Sequence, residues 1–175
     1  AGDTQATAGV MRTLGVRIDP LKDANEAVLV HGRGLCGLLE PGTTLNVCNS
    51  GTAIRLLSGL LAGQRGRFVL DGDESLRRRP MDRVVAPLSR MGVTVTAREG
   101  RFPPLEVRGG PVRAITYESP IASAQVKSCV LLAGLHAEGE TTVVERIPSR
   151  DHTERLLCAA GAALRRDGGR VSLRG

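Results

Sequence analysis

Two segments of this 175-residue chain place small polar side chains where a helix is about to begin. One is Asn49-Ser50-Gly51-Thr52 and the other is Ser123-Ala124-Gln125. The first turn of a helix carries unpaired N–H groups and the positive end of the helix dipole. Asn, Ser and Thr there either cap the helix or bind an anion, and Gly51 lets a ligand come close to the backbone. Two further segments are cationic: Arg77-Arg78-Arg79-Pro80 and Ser149-Arg150-Asp151-His152-Thr153-Glu154. A guanidinium beside a helix start can hold a phosphate or carboxylate through paired hydrogen bonds. The plain alternative is a solvated charge run, and Asp151 with Glu154 also fits a cap followed by an acidic first turn. Lys127 lies inside an apolar stretch and needs an anionic partner or an exit to solvent. Asp71-Gly72-Asp73-Glu74 reads as a turn rather than a metal site. His152 could act in acid–base chemistry, but nothing beside it in the sequence poises it for that, and His31 and His136 read as structural or solvated. The chemistry on offer is anion binding, without an evident general acid or base.

The elements that must position these groups recur. A helix-like segment runs into a small-residue break and a short strand at Leu14-Gly15-Val16, Met91-Gly92-Val93 and Ala160-Gly161-Ala162. A later strand ends on Val30-His31-Gly32, Val107-Arg108-Gly109 and Leu173-Arg174-Gly175. The repeat is therefore roughly seventy residues long. Its pattern is β-α-β-α-β-β, in an α/β (α+β) fold: a half copy over about 1–34, then copies over about 35–110 and 111–175. In each complete copy the first helix, from Thr52 to Ala62 or from Gln125 to Leu135, is apolar nearly all round and is expected to be buried. The second, from Met81 to Arg90 or from His152 to Ala160, is amphipathic. Pro80 can open its helix, and Pro87 is expected to kink or shorten that helix. Strands are expected at Val16–Ile18 and Ala27–His31 around a turn from Pro20 to Asn25. A buried helix and its strand are expected to precede Ala1, so the chain reads as one lobe of a longer protein.

The net charge is +6, carried by Arg far more than Lys, which points to anionic partners. With one Tyr, two Phe and no Trp, the core must come from Leu, Val, Ile and Ala. The same scarcity argues against single-strand nucleic acid, whose bases stack on aromatic rings. Cys36, Cys48, Cys129 and Cys158 show no CxxC spacing and read as buried, reduced thiols of a cytoplasmic protein. No apolar run is long enough to cross a membrane, and neither a metal nor a cofactor is called for.

Asn-Ser-Gly-Thr-Ala-Ile-Arg from Asn49, Arg-Pro-Met from Arg79, Ser-Ala-Gln-Val-Lys from Ser123 and Arg-Asp-His-Thr-Glu from Arg150 stand in register with the repeat. In these motifs, and over essentially its whole length, the chain resembles the 5-enolpyruvylshikimate-3-phosphate (EPSP) synthase family, in its bacterial class II form. The resemblance implies one of two lobes, each of three β-α-β-α-β-β units whose buried helices point their N-termini at the inter-lobe cleft. It implies transfer of the enolpyruvyl group of phosphoenolpyruvate to the 5-hydroxyl of shikimate 3-phosphate, in aromatic amino acid biosynthesis. Asn49, Gly51, Arg79 and Gln125 are then expected at phosphoenolpyruvate, and Ser123, Ala124, Gln125, Ser149 and Arg150 at shikimate 3-phosphate. Glyphosate, whose site in the family overlaps that of phosphoenolpyruvate, would meet Gly51.

The chain departs from the family pattern at Ala124, where a Ser is frequent. The family's Lys-Ser motif belongs to a helix before Ala1, and its catalytic Asp and Glu to the second lobe of the same protein. No catalytic residue is therefore assigned here, and the isolated chain is expected to be inactive. Alternatives are a lobe of the related UDP-sugar enolpyruvyl transferase and an RNA-binding module like that of RNA terminal-phosphate cyclases. The former usually carries a Cys in the loop matching Asp71 to Arg79, where this chain has none.

Overall fold

The structure is a computed structural model, and it describes residues 2–19 and 28–175. The repeat is visible first in hydrogen bonds. Helix α1 (Gly2–Thr13), helix α4 (Asp82–Arg90) and helix α6 (His152–Ala159) each end on a glycine with positive φ: Gly15, Gly92 and Gly161. In each, the residue after that glycine donates its N–H back to a helix carbonyl five residues earlier: Val16 to Met11, Val93 to Leu88 and Ala162 to Leu157. This is the bond that closes a Schellman cap, and the left-handed conformation it needs explains the glycine.

Strand pairing repeats in the same way. One four-stranded sheet has the order β3 (Leu45–Asn46), β4 (Gly66–Asp71), β6 (Phe102–Gly109), β5 (Thr94–Arg98). The other has the order β8 (Thr116–Ser119), β10 (Glu140–Glu145), β12 (Arg170–Arg174), β11 (Ala163–Asp167). In both, the first pair is parallel and the next two are antiparallel. Strands β1 (Arg17–Ile18) and β2 (Val30–His31) form an antiparallel pair, and β7 (Val112–Arg113) pairs in parallel with β9 (Ala137–Glu138). The expected Pro20–Asn25 turn and Ala27 lie outside the described residues, and of the described part of the strand expected after it, Val30–His31 is strand.

Helices α2 (Gly51–Ala62) and α5 (Ala124–Gly134) occupy the centre, as their apolar sequences require. Gln125 meets Thr52, a Cβ on Gly59 would lie 2.1 Å from the carbonyl oxygen of Cys129, and one on Gly63 would lie 2.0 Å from His136. These contacts advance together along both chains, so the two helices run parallel, with their N-termini at the same end. Gly59 is what permits the backbones to approach this closely. Leu57 and Leu61 of α2, Val130 and Leu131 of α5, and Phe68, Leu88, Val107 and Leu173 of the surrounding elements share one continuous core. The strand-ending glycines Gly109 and Gly175 face carbonyls at and just beyond the C-terminal ends of α2 and α5, at Leu61 and Gln64 and at Gly134 and Ala137 respectively.

Three local expectations change. A short helix, α3 (Glu74–Arg77), is inserted before α4, capped by Asp73. Pro80 therefore lies in the link between two helices, and α4 begins at Asp82 after Met81. Pro87 ends nothing, because α4 runs through it and its carbonyl accepts the Met91 N–H at 3.0 Å. The thiols differ as well: only Cys129 is buried, while Cys36, Cys48 and Cys158 are exposed, and all four are free.

Candidate functional site

The shared N-terminal end of α2 and α5 gathers most of the candidate residues. Ser50 is the cap of α2, its Oγ accepting the Ala53 N–H at 3.0 Å, which leaves Asn49 free for other work. Asn49 is an oriented relay: its Nδ2 donates to Asp73 Oδ2 at 2.7 Å, and its Oδ1 accepts from Arg79 Nη2. Arg79 also donates to the Asn49 carbonyl at 3.3 Å. The Asn49 amide bond helps hold the Asp73 carboxyl below its ordinary value.

Arg55 was not singled out as a site residue in the sequence, yet it ties the cluster together. Its Nη1 donates to the Gly51 carbonyl at 2.8 Å and to Gln125 Oε1 at 3.1 Å, and its Nη2 donates to the Pro80 carbonyl at 3.0 Å. Gln125 Nε2 in turn donates to Thr52 Oγ1 at 2.8 Å. Burial, then Arg79 and Arg83, push the Arg55 guanidinium below its ordinary value. It donates to neutral acceptors only, and the guanidiniums of Arg79 and Arg83 each act on it more strongly than the nearby Asp82 carboxylate, which is an environment that favours an added anion. Gly51 belongs to the same space: a Cβ there would lie 2.9 Å from Arg55 Nη1 and 3.1 Å from Arg79 Nη1.

The start of α5 carries the second group. Ser123 Oγ accepts the Val126 N–H at 3.4 Å as the helix cap, and Ala124 is the first helical residue. One turn in, Lys127 finds the partners its surroundings demanded. Its Nζ lies 2.7 Å from Glu145 Oε2 and 2.7 Å from Glu154 Oε1, with side-chain exposures of 2%, 4% and 2% for Lys127, Glu145 and Glu154. Glu154 is therefore an internal partner of Lys127, not the exposed acid of a capped first turn. Asp151 occupies the cap position without a capping bond and pairs with Arg166 at 2.9 Å. Ser149 Oγ donates to Glu145 Oε1 at 2.5 Å. Arg150 is exposed and makes no hydrogen bond or ion pair among the described residues.

Arg77 is exposed and is held by Asp71 at 2.6 Å. Together with the Asp73 cap of α3, this pairing accounts for the acidic turn, and no group able to hold a metal occurs among the described residues. No helix described here is long and apolar enough to cross a membrane. Of the candidates, Asn49, Gly51, Arg79 and Gln125 are joined directly or through Arg55. Ser123 shares the start of α5, Ser149 joins through Glu145 and Lys127, and Arg150 adjoins the group only through the chain.

The sequence pattern of EPSP synthase (3-phosphoshikimate 1-carboxyvinyltransferase) matches residues 1–175. The chain is 53% identical over 173 residues to the 3-phosphoshikimate 1-carboxyvinyltransferase of Solibacter usitatus, covering 99% of this chain and 40% of that protein. It is 53% identical over 163 residues to the enzyme of the same name from Pelobacter propionicus, covering 93% and 37%. The structure superposes on EPSP synthase from Acinetobacter baumannii with a TM-score of 0.96 and 46% sequence identity, over 100% of this chain and 40% of that one. The chain thus spans about 40% of the length of the relatives it matches. Parallel buried helices opening on a cationic end, in a repeat that matches such relatives along its whole length, make the chain a member of the EPSP synthase family.

Proposed function

We propose that this chain is the shikimate 3-phosphate-side lobe of an enzyme that transfers the enolpyruvyl group of phosphoenolpyruvate to shikimate 3-phosphate. The observation that carries the reading is the convergence of the α2 and α5 N-termini on Arg55 and Arg79, with Gln125 bridging the helices. Both substrates are anions, and guanidinium groups beside free helix N–H groups suit a carboxylate and a phosphate. On this reading Asn49, Gly51, Arg79 and Gln125 face phosphoenolpyruvate. Ser123, Ala124, Gln125, Ser149 and Arg150 face shikimate 3-phosphate, with the backbone N–H of Ala124 standing in for a hydroxyl.

The reaction also requires a proton to leave the attacking hydroxyl and another to reach the methylene carbon. The buried acids among the described residues, Glu145 and Glu154, are committed to Lys127, and on this reading those proton transfers are assigned to groups of a second lobe. The 175-residue chain is therefore a binding half: it takes up shikimate 3-phosphate weakly and turns nothing over. Titration of the chain with shikimate 3-phosphate and with phosphoenolpyruvate, followed by amide chemical shifts, tests this. The expected shifts fall at residues 49–55, 123–127 and 149–150. Shifts confined to other surfaces would contradict it.

A further inference from the structure

We infer that Lys127 and Glu145 are positioning residues that brace the Ser149–Arg150 segment against the start of α5, an inference that rests on the substrate reading above. Lys127 touches none of the exposed candidate groups, yet it joins α5, which opens at Ser123, to the two elements that flank the loop carrying Ser149 and Arg150. It stands on α5, two residues from Gln125 and four from Ser123. Its two carboxylate partners are the last residue of β10 and the third residue of α6, so the segment between them, 146–151, is anchored at both ends by one ammonium.

Glu145 passes the constraint on. Its Oε2 takes Lys127 and, at 3.4 Å, the Ser149 backbone N–H, while its Oε1 accepts the Ser149 hydroxyl at 2.5 Å. Ser149 is thereby held as a donor to Glu145, and the backbone that presents Arg150 is fixed one residue beyond. Both carboxylates are buried, but they are unequal in role. Glu154 touches Lys127 through Oε1, and its Oε2 has no hydrogen-bond partner among the described residues. Ser128 Oγ and Thr153 Oγ1, 2.6 Å apart, make a second, uncharged tie between α5 and α6. The loop's position thus hangs on Glu145, and Glu154 balances charge.

That asymmetry separates positioning from plain stabilisation. In the 175-residue chain, Glu145→Gln and Glu154→Gln each leave Lys127 one carboxylate. Hydrogen–deuterium exchange at 146–151 is expected to rise in Glu145→Gln and to stay near wild type in Glu154→Gln, with α5 protected in both. Ser149→Ala, which leaves the buried charges untouched, should also raise exchange there. The Kd for shikimate 3-phosphate should rise about tenfold in Glu145→Gln, the loss expected from one charge-assisted hydrogen bond. Equal exchange at 146–151 in the two Glu variants, or loosened exchange with an unchanged Kd, would overturn the inference. A wild-type chain that fails to bind shikimate 3-phosphate would overturn the substrate reading instead, and the exchange pattern would still decide the brace.

Discussion

Gly51 is the residue at which one methyl group interrogates the anion site. Its Cβ would press on the Nη1 atoms of Arg55 and Arg79, both ends of flexible side chains. The helix itself gains from Gly→Ala, so Gly51→Ala should fold normally while shifting both guanidiniums. Affinity for phosphoenolpyruvate should fall by about tenfold, the scale of a modest overpacking cost. In a longer enzyme containing this lobe, the inhibition constant for glyphosate should rise; equal constants in the two forms would refute the placement. Cys129 gives a second residue-level test. Burial pushes its thiol up from 9.0 to about 12. Between those values the unfolded chain has lost the proton and the folded chain keeps it, so stability falls as pH rises, by at most about 1.4 kcal/mol per pH unit. Cys129→Ala should flatten that part of the urea-denaturation profile. A thiol titration at pH 8 should find Cys36, Cys48 and Cys158 reactive, and Cys129 reactive only after unfolding.

At the scale of elements, the parallel pair α2 and α5 depends on a contact without a side chain. A Cβ on Gly59 would lie 2.1 Å from the Cys129 carbonyl oxygen, and a backbone atom cannot step aside as a guanidinium can. Gly59→Ala should therefore destabilise the chain by about 1–3 kcal/mol or more, read as a lower midpoint in urea, despite its better helix propensity. The two buried helices were legible because their apolar residues cover every face, and their openings were legible because Ser50 and Ser123 are good caps. What periodicity does not encode is which side of one helix meets the other. Arg55 stood in plain view inside a recognised motif, but its role depends on Gln125 of a different helix, seventy residues away. Lys127 announced that it needed a partner. Glu145 ends a strand, and Glu154 imitates a helix-start acid, so neither declared itself. Three cysteines were misread for the same reason, since thiols look buried until the faces of their loops and helices are assigned.

For the whole molecule, the two complete repeats fold as equivalent sheets around two parallel helices and gather cationic, hydrogen-bonding groups at one end. That end is proposed to bind shikimate 3-phosphate through Ser123, Ser149 and Arg150. Arg150 is exposed and unengaged among the described residues, whereas Arg77 is occupied by Asp71. The two arginines are thus a matched pair in charge and opposites in availability. A calorimetric titration of shikimate 3-phosphate into the wild-type chain, Arg150→Ala and Arg77→Ala tests the claim most directly. Weak binding by the wild type, about tenfold weaker binding by Arg150→Ala and little change in Arg77→Ala are predicted, since a charge-assisted hydrogen bond contributes roughly 1.5–3 kcal/mol. Equal affinity in all three proteins, or phosphate released from phosphoenolpyruvate by the isolated chain, would contradict it.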